Sequence, residues 1–272
     1  MGRGDATPNG LPQVSDNTQE IPDEIVGPER TLLQMFKLFV EPEVKRRQLA
    51  GSLPDPFKAV KAQILFFEGR APEVRLDKEI AFSVRAREPR AFHDDEPISL
   101  SEIEQYIDAI ELDIGDADAG HFTAILLNDH WLMLFDFQRN KLKGANLVER
   151  AEQFCASAED ALTRQHFGPA IENLFSACEL AAKARLITSA AMNSEVKTHG
   201  TIHSGINQWG KLGNVDREFV EMFNKLSNNR DAARYTTDKH DLSGLISADM
   251  IAKARAEIAE LKARLKRFGD PS

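Results

Sequence analysis

The sequence predicts an α+β protein in two parts, a small mixed α/β N-terminal domain followed by an all-α helical bundle. Three observations point there. Before residue 141, short apolar runs alternate with turn residues, the pattern of strands. After Lys141–Leu142–Lys143–Gly144, apolar residues recur three and four positions apart, the pattern of helices. Charge follows the same divide: residues 1–140 carry 15 basic and 26 acidic side chains (net −11), and residues 141–272 carry 19 and 17 (net +2), which together return the −9 of the 272-residue chain.

Residues 1–27 are rich in Gly, Pro, Asn, Asp and Thr and read as a mobile tail; the Arg-Gly-Asp at 3–5 is read as chance. Residues 28–140 form the expected α+β domain, of unassigned role. It opens on a helix over 28–50, with Leu32, Leu33, Phe36 and Phe39 on one side and Pro42 as an interruption. The Lys45–Arg46–Arg47 run after it reads as a solvated face. Val60–Phe67 is a compact strand. Val74–Leu76 and Ile80–Val84 flank Asp77–Lys78–Glu79 as a short hairpin. Ser99–Leu100–Ser101–Glu102 is a capping box, which predicts a helix through about Leu112 with Ile103, Tyr106, Ile107 and Ile110 inward. Phe122–Leu127 and Trp131–Phe137 flank Asn128–Asp129–His130, a second hairpin.

The bundle is expected over 145–268. Asn146 and Glu149 suit an N-terminal cap, followed by Leu147, Ala151, Phe154, Cys155, Ala158 and Leu162 at helical spacing. Gly168–Pro169 breaks the chain and starts a helix with Ile171, Leu174, Phe175, Cys178, Ala182 and Leu186 inward. A loop over 188–198 leads to a short helix around Ile202–Trp209. A longer helix runs from about Asp216 to Tyr235 and buries Phe219, Val220, Phe223 and Leu226. Ser247 caps the last, whose Ile251, Ala254, Ile258, Leu261, Leu265 and Phe268 repeat like a coiled-coil seam.

Composition excludes several classes. With 42% hydrophobic and 28% charged residues the chain is of globular type. No apolar run approaches the roughly 20 residues that span a bilayer, and MGRGDATPNG lacks a secretory core, so a cytoplasmic protein without a membrane partner is expected. Cys155 and Cys178 lie on core faces and cannot form a disulfide scaffold or a four-thiolate metal site. His199 and His203, four apart, can begin a metal site, but no HExxH or cysteine pair accompanies them, so no metal and no cofactor are expected. Asp113, Asp116 and Asp118 lack the Gly and Glu of a calcium loop. Around Asp136, a strand ends in a polar cluster, Asp136–Gln138–Arg139–Asn140–Lys141, read as an anchor for the turn into the bundle or as the lining of a site.

Three features of the second half occur in a recognisable order: the helix pair AEQFCASAEDALTRQHFGPAIENLFSACELAAKARLI joined by Phe-Gly-Pro, the Lys197–Thr198–His199 segment, and a helix ending in LSNNRDAARY, Leu226 to Tyr235. In these the sequence resembles the HEPN superfamily over residues 145–268. That resemblance implies a bundle that homodimerises and is tied to RNA cleavage or nucleotide transfer. It also implies that RNA-cleaving members use an Arg and a polar residue, then a His after four to six intervening residues. Arg230 and Asp231 fill the first two positions, but Tyr235, Thr236 and Thr237 stand where the His belongs. His240 falls too late. The Arg-x4-Tyr spelling is similar to members that accompany nucleotidyltransferases or act as binding modules, and His199 lies where the family often has a helix-capping His.

Chemistry gives the departure its meaning. Attack by an RNA 2′-hydroxyl needs a base near neutral pH, which imidazole is and a phenol is not. Guanidinium and phenol suit gripping a phosphate or stacking on a base. Arg230, Arg234, Tyr235 and His199 are therefore the candidate ligand-binding residues, and Arg230, Asp231 and Tyr235 the candidates if the chain is catalytic. Two classes follow. One is a non-catalytic module that binds RNA, a nucleotide or a protein partner, with the N-terminal domain supplying specificity. The other is a metal-independent ribonuclease of a prokaryotic defence or toxin–antitoxin system with an altered centre. A structural reading competes with both: Arg230 pairs with a carboxylate elsewhere in the bundle and Tyr235 closes the core.

Overall fold

A computed structural model of the chain describes residues 26–86, 107–127, 129–235 and 241–266. They fall in two compact units, Met1–Phe137 and Gln138–Ser272.

In the first unit, helix α1 (Pro28–Met35), a π turn (Phe36–Val40) and α2 (Glu41–Leu49) run on without a break. Pro42 was expected to interrupt this stretch. It sits instead in the first turn of α2, where its missing N–H is harmless, and the wide turn before it closes with Glu41 N–H on Phe36 O. The basic run is tied down in part: Arg46 and Arg47 both bond Glu43, and Arg47 reaches Glu79 and the Val74 carbonyl. Arg46, burial and Arg47 act together on Glu43, and the net result holds its carboxyl down at about 2.

Among the described residues, β1 (Lys61–Phe66), β2 (Glu73–Leu76), β5 (Gly120–Leu127) and β6 (His130–Asp136) form a four-stranded antiparallel sheet in the order β2-β1-β5-β6. On one face, Ala62, Ile64, Leu76, Phe122 and Ala124 bury Leu32, Phe36, Val40 and Val44 of the helices. This is the alternation of a half-buried sheet. The other face carries a buried polar row that periodicity does not announce. Gln63 donates to the Thr123 hydroxyl at 3.1 Å, and His121 Nδ1 lies 3.1 Å from the same oxygen. The β5–β6 turn was read correctly; Asp129 takes the left-handed conformation, at φ 64°, that a short polar side chain tolerates.

Two expectations are overturned here. Val74–Leu76 and Ile80–Val84 do not form a hairpin. A three-residue 3₁₀ turn, Asp77–Glu79, sends the chain away from β2, and the Asp77 carboxylate fixes that turn by accepting from the amides of Val60 and Lys61, each at 2.9 Å. β3 (Ala81–Ala86) pairs instead with β4 (Ile107–Asp113) in a second, two-stranded sheet. The helix expected through Leu112 is therefore a strand over 107–113. Ile107 and Ile110 fit a helical period while Ile110 and Leu112 fit a two-residue one, and cross-strand Val84 and Phe82 decide between them. The capping box at 99–102, with Ile103 and Tyr106, lies outside the described residues.

Among the described residues, the second unit holds five α-helices: α3 (Lys141–Thr163), α4 (Phe167–Thr188), α5 (His199–Lys211), α6 (Arg217–Tyr235) and α7 (Ala248–Lys266). The helix expected to start at Asn146 begins five residues earlier, because the Asn140 carbonyl accepts from Gly144 N–H at 2.8 Å. Gly144 is thus a packing position: a Cβ there would stand 2.5 Å from Thr188 Cγ2. Arg139 N–H bonds the Thr188 carbonyl and the Asn140 side chain that of Ile187, so the segment after the last strand anchors on the end of α4.

The core joins all five helices, through Val148 and Ala158 of α3, Ile171 and Leu174 of α4, Ile202 and Ile206 of α5, Phe219 and Leu226 of α6, and Ile258 and Leu261 of α7. Fully buried Ala170, Ala177, Ala181 and Ala184 let α4 run through its centre. Phe154, by contrast, lies on the outer side of α3. The seam of α7 is buried, and Lys262–Glu152 and Arg255–Glu159 ion pairs border it along α3. Phe268 lies outside the described residues. Both thiols are buried and burial pushes them up, which suits packing.

Candidate functional site

The site candidates gather along the line where α4, α5 and α6 meet. On α4, Glu172, Phe175 and Glu179 are spaced three and four, which puts them on one face. Phe223 of α6 stacks on Phe175 with ring centroids 5.5 Å apart and planes 14° from parallel. Seven residues further along α6, the Arg230 guanidinium lies over the same Phe175 ring at 4.6 Å. Its Nε is 3.4 Å from both oxygens of Glu172, a long contact that hydrogen-bonds only Oε2. Arg234, one turn on, reaches Oε2 from Nη2 at 2.7 Å. One carboxylate therefore faces two guanidinium groups. The Tyr235 hydroxyl and then Glu172 hold the Arg234 guanidinium above the ordinary arginine range.

The His199 imidazole comes to this ring from α5. Its centroid lies 6.2 Å from that of Phe175, and Nδ1 pairs with the Glu179 carboxylate. His199 is the first residue of α5, while Thr198 holds the cap position, so the expected capping role is replaced by this imidazole–carboxylate pair. His203, one turn on, packs on Phe223 at 5.5 Å, and its buried Nε2 has no hydrogen-bond partner. Below it, Asn207 and Asn224 exchange side-chain amide bonds of 3.0 and 2.8 Å. No group of three or more His, Cys, Asp and Glu side chains among the described residues is placed to hold a metal ion.

The structure thus brings Arg230, Arg234 and His199 to one face, with Tyr235 at its end. Arg230 does meet a bundle carboxylate, as the structural reading anticipated. Tyr235 does not close the core: it is 71% exposed. Asp231 is also exposed. Thr236, Thr237 and His240 lie outside the described residues. Glu172, Phe175 and Glu179 were missed by sequence reasoning. Phe175 was read as core, and two glutamates on a helix carry no signal until α6 and α5 are set against them.

Residues 145–265 match the family model of the HEPN domain. They are a HEPN domain. No family model matches the N-terminal region, and no curated protein matches the sequence. No helix among the described residues is long and apolar enough to cross a membrane.

Within the HEPN domain, one close approach sets the distance from α4 to the arginine end of α6. A Cβ on Gly168 would stand 2.8 Å from the carbonyl oxygen of Ala233. Backbone cannot yield as a flexible side chain does. Gly168→Ala is expected to cost about 1–3 kcal/mol, the range for overpacking, readable by chemical denaturation.

Proposed function

We propose that this protein is a HEPN-domain module that binds a phosphate of RNA or of a nucleotide through Arg230, with Arg234 and Tyr235 beside it, and that it holds the ligand without cutting it. The posture of Arg230 carries this reading. Its guanidinium carbon lies over the Phe175 ring, 4.6 Å from the centroid, only Nε engages Glu172, and neither Nη nitrogen is hydrogen-bonded among the described residues. A guanidinium held over a ring with the fork open is arranged for bidentate contact with an oxyanion. A salt bridge built for stability alone gains most from closing that fork on its partner. Tyr235 supplies an exposed phenol for hydrogen bonding or stacking and no base at neutral pH.

The test is binding of a short single-stranded RNA in EDTA, followed by anisotropy and by gel. Arg230→Ala is expected to bind at least tenfold more weakly, and Tyr235→Phe more weakly, with the RNA left at full length. Unchanged affinity in both variants would assign Arg230 to structure alone. A second reading, a metal-independent ribonuclease of a defence or toxin–antitoxin system, is favoured by the His199–Glu179 pair, which brings an imidazole to the Phe175 ring that Arg230 also approaches. Cleavage in EDTA that disappears in Arg230→Ala would replace the binding reading with that one. Homodimerisation through the bundle and a partner taken by the N-terminal unit belong to the same proposal, and light scattering of the full chain checks the first.

A further inference from the structure

The Glu172 carboxylate stands where a ligand oxyanion would have to stand. It lies between the two guanidinium groups, 2.7 Å from Arg234 Nη2 and 3.4 Å from Arg230 Nε. An anion that takes the nitrogens facing Glu172, Arg230 Nε and Arg234 Nη2, must first move it. Glu172 is also held imperfectly. Its Oε1 is buried and accepts no hydrogen bond, and its contact with Arg230 exceeds the usual length for an ionic hydrogen bond. A carboxylate built purely to lock two helices together would have both oxygens engaged.

We propose that Glu172 is a built-in placeholder anion, and that the ligand it yields to is a terminal phosphate, carried by a nucleotide or by an RNA 5′ end, rather than an internal phosphodiester. This deepens the binding reading above and rests on it. Charge favours the monoester. Arg230, Arg234 and Glu172 together carry one net positive charge. An internal phosphodiester brings a single negative charge and only replaces what Glu172 already supplies, while leaving Glu172 half-buried without its cations. A phosphate monoester carries close to two at neutral pH and offers three oxygens, enough for the open Arg230 fork and for Arg234 at once. It therefore displaces the carboxylate with a net gain in pairing where the diester has none. Exposed Tyr235, next to Arg234, is placed to meet the nucleoside that follows such a phosphate.

The test compares one short single-stranded RNA with a 5′-phosphate and with a 5′-hydroxyl, both against the full-length protein, in EDTA at fixed salt. The wild type is expected to prefer the phosphorylated strand about tenfold or more. Glu172→Gln is expected to bind both strands more tightly and to lose most of the discrimination, because the site then offers two cations with no internal anion. Adenosine 5′-monophosphate forms a third arm: affinity equal to that of the phosphorylated strand identifies a free nucleotide as sufficient, and weaker affinity identifies an RNA end, and either outcome supports the proposal. Equal wild-type binding of the two RNA strands overturns the proposal and leaves the binding reading intact. Binding of none of the three ligands overturns both. The wild-type comparison requires no substitution, so it decides the matter even where Glu172→Gln fails to fold; a folded Glu172→Gln that binds both strands more weakly counts against the placeholder.

Discussion

Arg185→Met is expected to cost the HEPN domain about 3–5 kcal/mol at neutral pH, measured by denaturant unfolding with folded content confirmed by circular dichroism. Arg185 of α4 and Glu257 of α7 form an ion pair of 2.5 Å with side chains only 4% and 7% exposed. Glu260 stands further off, at 3.5 Å from the same nitrogen. Removing the guanidinium leaves Glu257 charged, buried and unpaired. Leaving one partner behind, and not the loss of attraction as such, is the main penalty. Removing both partners is correspondingly milder: Arg185→Met with Glu257→Leu should recover most of the loss.

The pH dependence has a definite sign. Burial outweighs the pull of Arg185 and holds the Glu257 carboxyl above the ordinary carboxylate value. Between the unfolded value and that raised folded value, the native state binds more protons than the unfolded chain, so stability falls as pH rises through this window. Without Arg185 the folded value moves higher still. The deficit of Arg185→Met should therefore shrink on acidification from neutral pH. A deficit independent of pH would show that Glu257 is not its origin.

Phe223→Ala is expected to destabilise by about 3–5 kcal/mol, the range for deleting a buried aromatic side chain, and also to weaken phosphate binding. Phe223 is 1% exposed and is the ring on which Phe175 stacks, while Phe175 is the ring on which Arg230 lies. Its removal opens a cavity and frees the platform that orients the guanidinium. Phe223→Leu, which restores much of the volume without the flat ring, should regain stability while leaving the binding defect in part. If both properties recover together, Arg230 does not depend on the stacked geometry.

Much of the bundle was legible because its helices are long and each buries one face. Ile171, Leu174, Phe175, Cys178, Ala182 and Leu186 recur at helical spacing and are all buried. The N-terminal unit was less legible because its elements are short. Ile107–Asp113 satisfies two periods at once, and only pairing with β3 selects the strand. The Asp77–Glu79 turn reads as a hairpin until its carboxylate is seen bonded to the start of β1. At the site, the reading of Arg230, Arg234 and Tyr235 rested on one helix, where spacing alone defines which side chains share a face. Glu172 and Glu179 lie on another helix, and their partners are 58 and 20 residues away in the chain.

By itself the sequence determined which segments are helical in the second half, which of their faces are apolar, and that a phenol stands where a base would be required. Those are properties of local spacing and of residue chemistry, and they do not depend on what packs against what. Only the tertiary structure decided that Arg230 lies over the Phe175 ring, that it shares one carboxylate with Arg234, and that an imidazole held by Glu179 approaches the same ring. Such contacts are set by how three helices cross, and crossing geometry comes from side-chain volumes over the whole core, with no signature in any one segment.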